Sequence, residues 1–162
     1  MPIKKIVSGG QTGADIAALD AAILCGTPHG GWIPQGRLTE DGPLPVQYHL
    51  QEMPTSAYPK RTEQNVIDSD GTVIFSHGAL SEGSLFTRKM AVQHRRPVMH
   101  VDLEKVTDQQ AVQMLTDFVE ANALEVLNVA GSRASKDPAL YDKVVHIMVN
   151  FLIGCRPGVG LS

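Results

Sequence analysis

The sequence predicts an α/β fold, a single doubly wound and mainly parallel sheet with helices on both faces. Three observations carry this. Short apolar runs of strand length alternate with longer segments of helical periodicity, which is the order of right-handed strand–helix–strand crossovers. Glycine clusters stand where those runs hand over to helices. The 162 residues, with 43% hydrophobic and 19% charged side chains, suit one domain with one substantial core over 1–162.

Residues 3–7 form a first apolar run that stops at Ser8-Gly9-Gly10. Ile16, Ala17, Leu19, Asp20, Ile23 and Leu24 then recur at helical spacing, and Gly26 stands where a helix ends most easily in a left-handed conformation. Residues 28–33 read as a second strand with Gly30-Gly31 inside it and Pro34 ending it. From 35 to 59 the periodicity is lost among Gly36, Gly42, Pro43, Pro45, Pro54 and Pro59, with one strand-like piece at 48–52. An excursion of this length in a compact domain is usually functional.

A helix over 61–69 leads to 71–76, Gly-Thr-Val-Ile-Phe-Ser, the clearest buried strand in the chain. The loop Gly78-Ala79-Leu80-Ser81-Glu82-Gly83-Ser84 follows, then a helix over 85–94 and a strand over 97–101. Residues 107–122 are amphipathic, with Val112, Leu115, Phe118 and Val119 on one stripe and Thr107 as N-cap. A strand over 124–129 ends at Ala130-Gly131-Ser132-Arg133, and Pro138 opens a last helix to about 153. That helix is apolar almost all round, which makes it either fully internal or half of a subunit interface. The whole pattern is Rossmann-like.

In such a sheet the strand-to-helix turns share the carboxyl edge. The turns carrying Gly9, Gly10, Gln11, Thr12 and Gly13, then Gly78, Gly83 and Ser84, then Gly131 and Ser132, therefore converge on one crevice. Glycine admits close backbone approach, and helix-start amides suit phosphate or another oxyanion. Any one such loop is also what a tight turn looks like; the argument rests on three. The first lacks the Lys-Ser or Lys-Thr of a Walker A motif, so the expectation is anion binding without ATP hydrolysis. Arg88 and Arg133 are the nearest cations for a phosphate. Asp15 either answers the helix dipole or holds a ribose hydroxyl, an amine or a cation. Arg37 either folds over the crevice mouth or decorates the surface.

Other classes are excluded by what is missing. Fourteen Lys and Arg against seventeen Asp and Glu give a charge of -3, with no basic arm for nucleic acid. No run reaches the roughly 18 apolar residues of a membrane span, and 1–5 do not resemble a secretory leader, so a cytoplasmic protein is expected. The six His show no zinc-site spacing, although His77 stands at the end of the central strand. No Gly-x-Ser-x-Gly elbow is present. Cys25 and Cys155 are distant, apolar in context and read as buried thiols.

Longer motifs carry a resemblance. Ser8-Gly9-Gly10-Gln11-Thr12-Gly13-Ala14-Asp15, Gly31-Trp32-Ile33-Pro34-Gln35-Gly36-Arg37 with Glu40-Asp41-Gly42, Thr62-Glu63-Gln64-Asn65-Val66, and Leu127-Asn128-Val129-Ala130-Gly131-Ser132-Arg133-Ala134-Ser135 resemble the molybdenum carrier family. It belongs to the Rossmann-like superfamily of lysine-decarboxylase-like phosphoribohydrolases and nucleotide sensors (SLOG). The resemblance implies a small anionic ligand, either molybdenum cofactor (molybdopterin, a pterin with a phosphate) or a nucleotide, and a homo-oligomer, dimer or tetramer. The hydrolase relatives carry a Glu three residues after their Gly-Thr; aligned on Gly83-Ser84, that position is Thr87. A hydroxyl does not replace a carboxylate in glycosidic cleavage, so a binder is expected, with a hydrolase of nucleoside monophosphates as the alternative. The second loop also departs from the carrier pattern, having Glu82-Gly83-Ser84 where Gly-Gly-Thr is expected.

Overall fold

The computed structural model describes residues 3–155. Five parallel strands form the central sheet in the order β2-β1-β9-β7-β8. They are β1 (Lys5–Val7), β2 (His29–Gly30), β7 (Gly71–Ser76), β8 (Val98–Asp102) and β9 (Val126–Gly131). Helices α1 (Ala14–Cys25), α4 (Asp108–Ala121) and α5 (Leu140–Gly154) share the main core with Val73, Phe75, Leu127 and Val129. Helices α2 (Tyr58–Ile67) and α3 (Glu82–Gln93) meet around Val66, Met90 and Ala91. This is the Rossmann-like arrangement that the alternation predicts.

Local chemistry explains the element ends. Gly26 stops α1 at φ 67, left-handed as expected. Thr107 and Gln110 form a reciprocal capping box at the start of α4. Helix α3 starts three residues before the predicted 85, because the Ser81 hydroxyl caps it, so Gly83 and Ser84 lie in its first turn and not in a loop. Helix α2 likewise starts at Tyr58 and not at 61. Pro138 stands just ahead of α5, which buries Leu140, Val144, Ile147, Met148, Phe151 and Leu152 while Asp142, Lys143, His146, Asn150 and Ile153 are exposed; the helix has an open polar face and is not fully internal. Cys25 is buried with its thiol 3.9 Å from the Val149 carbonyl, and Cys155 is half-buried.

The predicted strand over 28–33 breaks at Gly31. There φ is 131, and a side chain would meet the Ser8 carbonyl 2.2 Å from its Cβ. The break sends His29–Gly30 into the main sheet and Trp32–Ile33 (β3) away from it, to pair in parallel with β6 (Gln51–Glu52). Between them, β4 (Leu38–Thr39) and β5 (Gly42–Pro43) make a tight antiparallel hairpin. The excursion has its own small core: Leu44, Tyr48 and Leu50 pack on Ile33 and on Leu19 of α1. Asp20 of α1 accepts from the hydroxyls of both Tyr48 (2.6 Å) and Tyr141, joining excursion, α1 and α5. Burial, and then Asp20, push the Tyr48 phenol up to about 12.

Gly131 ends β9 in a space too small for a side chain, since a Cβ would stand 2.5 Å from the Phe75 carbonyl and 2.6 Å from the Ala14 Cβ. Gly131→Ala is expected to cost roughly 1–3 kcal/mol by overpacking, read from the urea midpoint at unchanged slope.

Candidate functional site

Chain order reverses in the middle of the sheet. From β1 the chain moves outward to β2, crosses to β7 and β8, and returns through β9, which lies between β1 and β7. Parallel α/β sheets bind ligands outside the carboxyl ends at such a point. A cleft of about 490 Å³ lies there, lined by residues from the β1 and β9 turns, from α2 and from the start of α3. Its volume falls within the about 300–1,000 Å³ typical of small-molecule sites.

A buried ion pair lies at this cleft. Asp15, in the first turn of α1, and Arg61 of α2 are both buried, with Nη1 3.4 Å from Oδ2. The same carboxylate oxygen accepts from the Gln11 amide at 3.2 Å. Gly9 makes the approach possible, because a Cβ at that position would lie 1.5 Å from Arg61 Nη1. Burial pushes the Asp15 carboxyl above the usual carboxylate range, against the pull of Arg61, the Gln11 amide and Arg133. Burial also lowers the Arg61 guanidinium, with the nearby Arg133 charge adding to the effect, yet a guanidinium keeps its proton in proteins. Two polar atoms of cleft residues, Arg61 Nε and Gln11 Oε1, are buried with no hydrogen-bond partner.

Tyr58 is shared by two cations. The Arg61 guanidinium carbon lies 5.6 Å from the ring centroid and that of Arg133 4.7 Å, both within cation–π range. Asn128, at the centre of β9, donates to Thr72 at 3.2 Å and borders the same cleft. At the start of α3, Ser81 occupies two amides: Ser84 N reaches its Oγ at 3.4 Å and Leu85 N its carbonyl at 2.8 Å.

A model of the circularly permuted YpsA SLOG family matches residues 6–152. The chain belongs to this family. A crystal structure of a protein named "Putative molybdenum carrier protein", from Syntrophus aciditrophicus SB, is 49% identical, with a TM-score of 0.90 over 94% of this chain and 96% of that one. No curated protein matches. Among the described residues of this SLOG chain, no helix is long and apolar enough to cross a membrane, and no three His, Cys, Asp or Glu side chains are grouped to hold a metal ion.

The SLOG cleft brings together nine residues that the sequence singles out: Gly9, Gln11 and Asp15; Gly83, Ser84 and Thr87; Gly131, Ser132 and Arg133. It does not bring in six others. Gly10 (φ 71) is turned toward Leu44, Leu50 and Ile33 of the excursion core, and Gly13 (φ 81) lies against the Ser132 carbonyl. Thr12 accepts from the Ala134 amide at 3.1 Å. Gly78 (φ 84) turns the chain after β7 and donates to Asp102 at 2.8 Å. Arg88 is exposed on α3 away from the cleft lining. Arg37 neither covers the mouth nor decorates the surface: its guanidinium donates to the carbonyls of Leu44, Pro45, Tyr48 and Leu50 at 2.8–3.1 Å and ties the excursion together.

Sequence reasoning missed Tyr58, Arg61 and Asn128. Arg61 and Asn65 are four apart on α2, on the stripe that also buries Val66, and two polar residues on an inward stripe were the available signal. Thr87 spends its hydroxyl on the Gly83 carbonyl at 3.1 Å. Glu82 also borders the cleft, from the first turn of α3.

Removing one member of a buried ion pair leaves the other uncompensated. Arg61→Met is therefore expected to cost about 3–5 kcal/mol at neutral pH. With Asp15 then raised further in the folded state, folding takes up a proton above the ordinary carboxylate pKa of about 4, so the loss shrinks as pH falls toward that value and grows as pH rises. Urea unfolding of both proteins across this range tests the sign.

Proposed function

We propose that this chain is a binding or carrier protein whose cleft holds a phosphate-bearing pterin of the molybdenum-cofactor type, or a nucleotide-like ligand. The observation that carries the reading is the buried Arg61 at the cleft, whose Nε has no hydrogen-bond partner among the described residues, with Arg133 against the same Tyr58 ring. Guanidinium is the group best matched to phosphate, which it meets with paired N–H donors. The two guanidiniums repel each other, with Asp15 as the one buried carboxylate beside them among the described residues, and a phosphate between them would add negative charge where they meet. Backbone at Gly9 and in the first turn of α3 borders the same space, where the helix dipole favours negative charge. The name of the 49% identical protein supports the carrier reading.

The residues suit the phosphate end of such a cofactor: Arg61 and Arg133 would hold its charge and Tyr58 would set their separation. Any redox chemistry belongs to the cofactor. A phosphoribohydrolase is less well supported. Thr87 has no carboxylate to offer, and Asp15, the acid that a hydrolytic reading would enlist, is buried and committed to Arg61 and the Gln11 amide. The same proposal treats 1–162 as one ligand-binding domain of a cytoplasmic homo-oligomer, dimer or tetramer. Exposed Ile23 and Leu24 at the end of α1, with Ile153 at the end of α5, support self-association.

Thermal-shift measurements with molybdopterin, nucleoside monophosphates and inorganic phosphate test the reading, run beside an assay for released base. A ligand at about 100 times its Kd adds about 2.7 kcal/mol, so a clear rise in Tm without base release is expected, and it is lost in Arg133→Ala. Base release that disappears in Asp15→Asn would instead establish the hydrolase.

A further inference from the structure

The β4–β5 hairpin presents Glu40 at its turn, held in shape by the Thr39 hydroxyl, which donates to the Gly42 carbonyl at 2.6 Å and accepts from the Asp41 amide at 3.1 Å. The Glu40 carboxylate reaches the turn after β9. Its Oε1 accepts from the Ser135 amide at 3.1 Å and from the Thr12 hydroxyl; its Oε2 accepts from the Ser135 hydroxyl at 2.6 Å. Thr12 in turn accepts from the Ala134 amide at 3.1 Å. One exposed carboxylate thus gathers the excursion, the β1 turn and the β9 turn. Gln11 adds a second thread, donating to the Leu38 carbonyl at 3.1 Å.

The fastened segment adjoins the cleft cation. Ala134 and Ser135 directly follow Arg133, and Ser132 is held on the near side, where the Ala14 amide reaches its carbonyl at 3.3 Å. Arg133 is therefore clamped in front by α1 and behind by Glu40, which fixes the backbone from which its side chain reaches Tyr58. The bonds from Ser135 and Thr12, with the Arg133 charge contributing, hold the Glu40 carboxyl below its ordinary range.

We infer that Glu40 is a positioning residue for the anion site: its carboxylate fastens residues 132–136 so that the Arg133 guanidinium stands ready beside Tyr58 for the phosphate of the ligand. This rests on the proposed binding function. It also gives the excursion a role in ligand affinity without any contact to the ligand.

The test has a ligand-free arm and a ligand arm. In the free protein, Glu40→Ala is expected to speed amide hydrogen exchange at 134–135 while the α1 and β7 amides keep their protection, and Glu40→Gln, which retains one acceptor oxygen, is expected to lie between. Unchanged exchange at 134–135 overturns the clasp. In the ligand arm, whichever nucleoside monophosphate or pterin phosphate stabilises the wild type is titrated into Glu40→Ala, Arg133→Ala and the double variant. Glu40→Ala is expected to weaken binding about tenfold, as loss of an orienting partner commonly does, and to have little further effect once Arg133 is gone. Additive losses would show a general structural role and overturn the positioning. Absence of any wild-type ligand defeats the proposed function and, with it, the positioning role, whereas a bound ligand with additive losses defeats the positioning alone.

Discussion

A carboxylate and a guanidinium buried together at the carboxyl edge of the sheet impose the conditions that the surrounding structure meets. Neither charge tolerates burial alone, so Asp15 and Arg61 must arrive within reach of each other from helices far apart in sequence. The backbone between them must be bare, and Gly9 leaves that space. The carboxylate needs more than one donor, and the turn after β1 supplies the Gln11 amide. The pair is long for an ion pair and leaves Arg61 Nε unmatched, which is the condition of a cation held for something besides its partner.

The alternation of strands and helices was legible because the central strands carry short apolar runs that end at glycine or proline signals, as in 71–76. Boundaries moved where a side chain intervened: the Ser81 hydroxyl drew the start of α3 back over Gly83 and Ser84. The excursion was unreadable by periodicity, since its core of Leu44, Tyr48 and Leu50 is closed by the distant Leu19 and Ile33. The glycine turns lie at the edge of the sheet where the cleft opens, but glycines there divide into those that border the cleft and those, such as Gly13 and Gly78, that permit contacts within the protein. Spacing alone does not separate the two uses. Arg61 stayed hidden because an arginine on a helix reads as a solvated residue until a facing carboxylate is known.

Electrostatically, the near-neutral chain concentrates positive potential through placement. Arg61 and Arg133 share one aromatic ring, while Arg37 is consumed by four backbone carbonyls and Arg88 points elsewhere. The Tyr58 ring attracts both guanidiniums, whose carbons lie 5.6 and 4.7 Å from its centroid.

The break at Gly31 matters for more than the path of the chain. It leaves β2 only two residues long at one margin of the sheet, and the His49 amide, 3.1 Å from His29 Nε2, brings the excursion against that margin. A long bare edge strand invites pairing with another chain, and shortening or covering it suppresses that outcome. The glycine that diverts Trp32 toward β6 thus also guards this side of the sheet against aggregation.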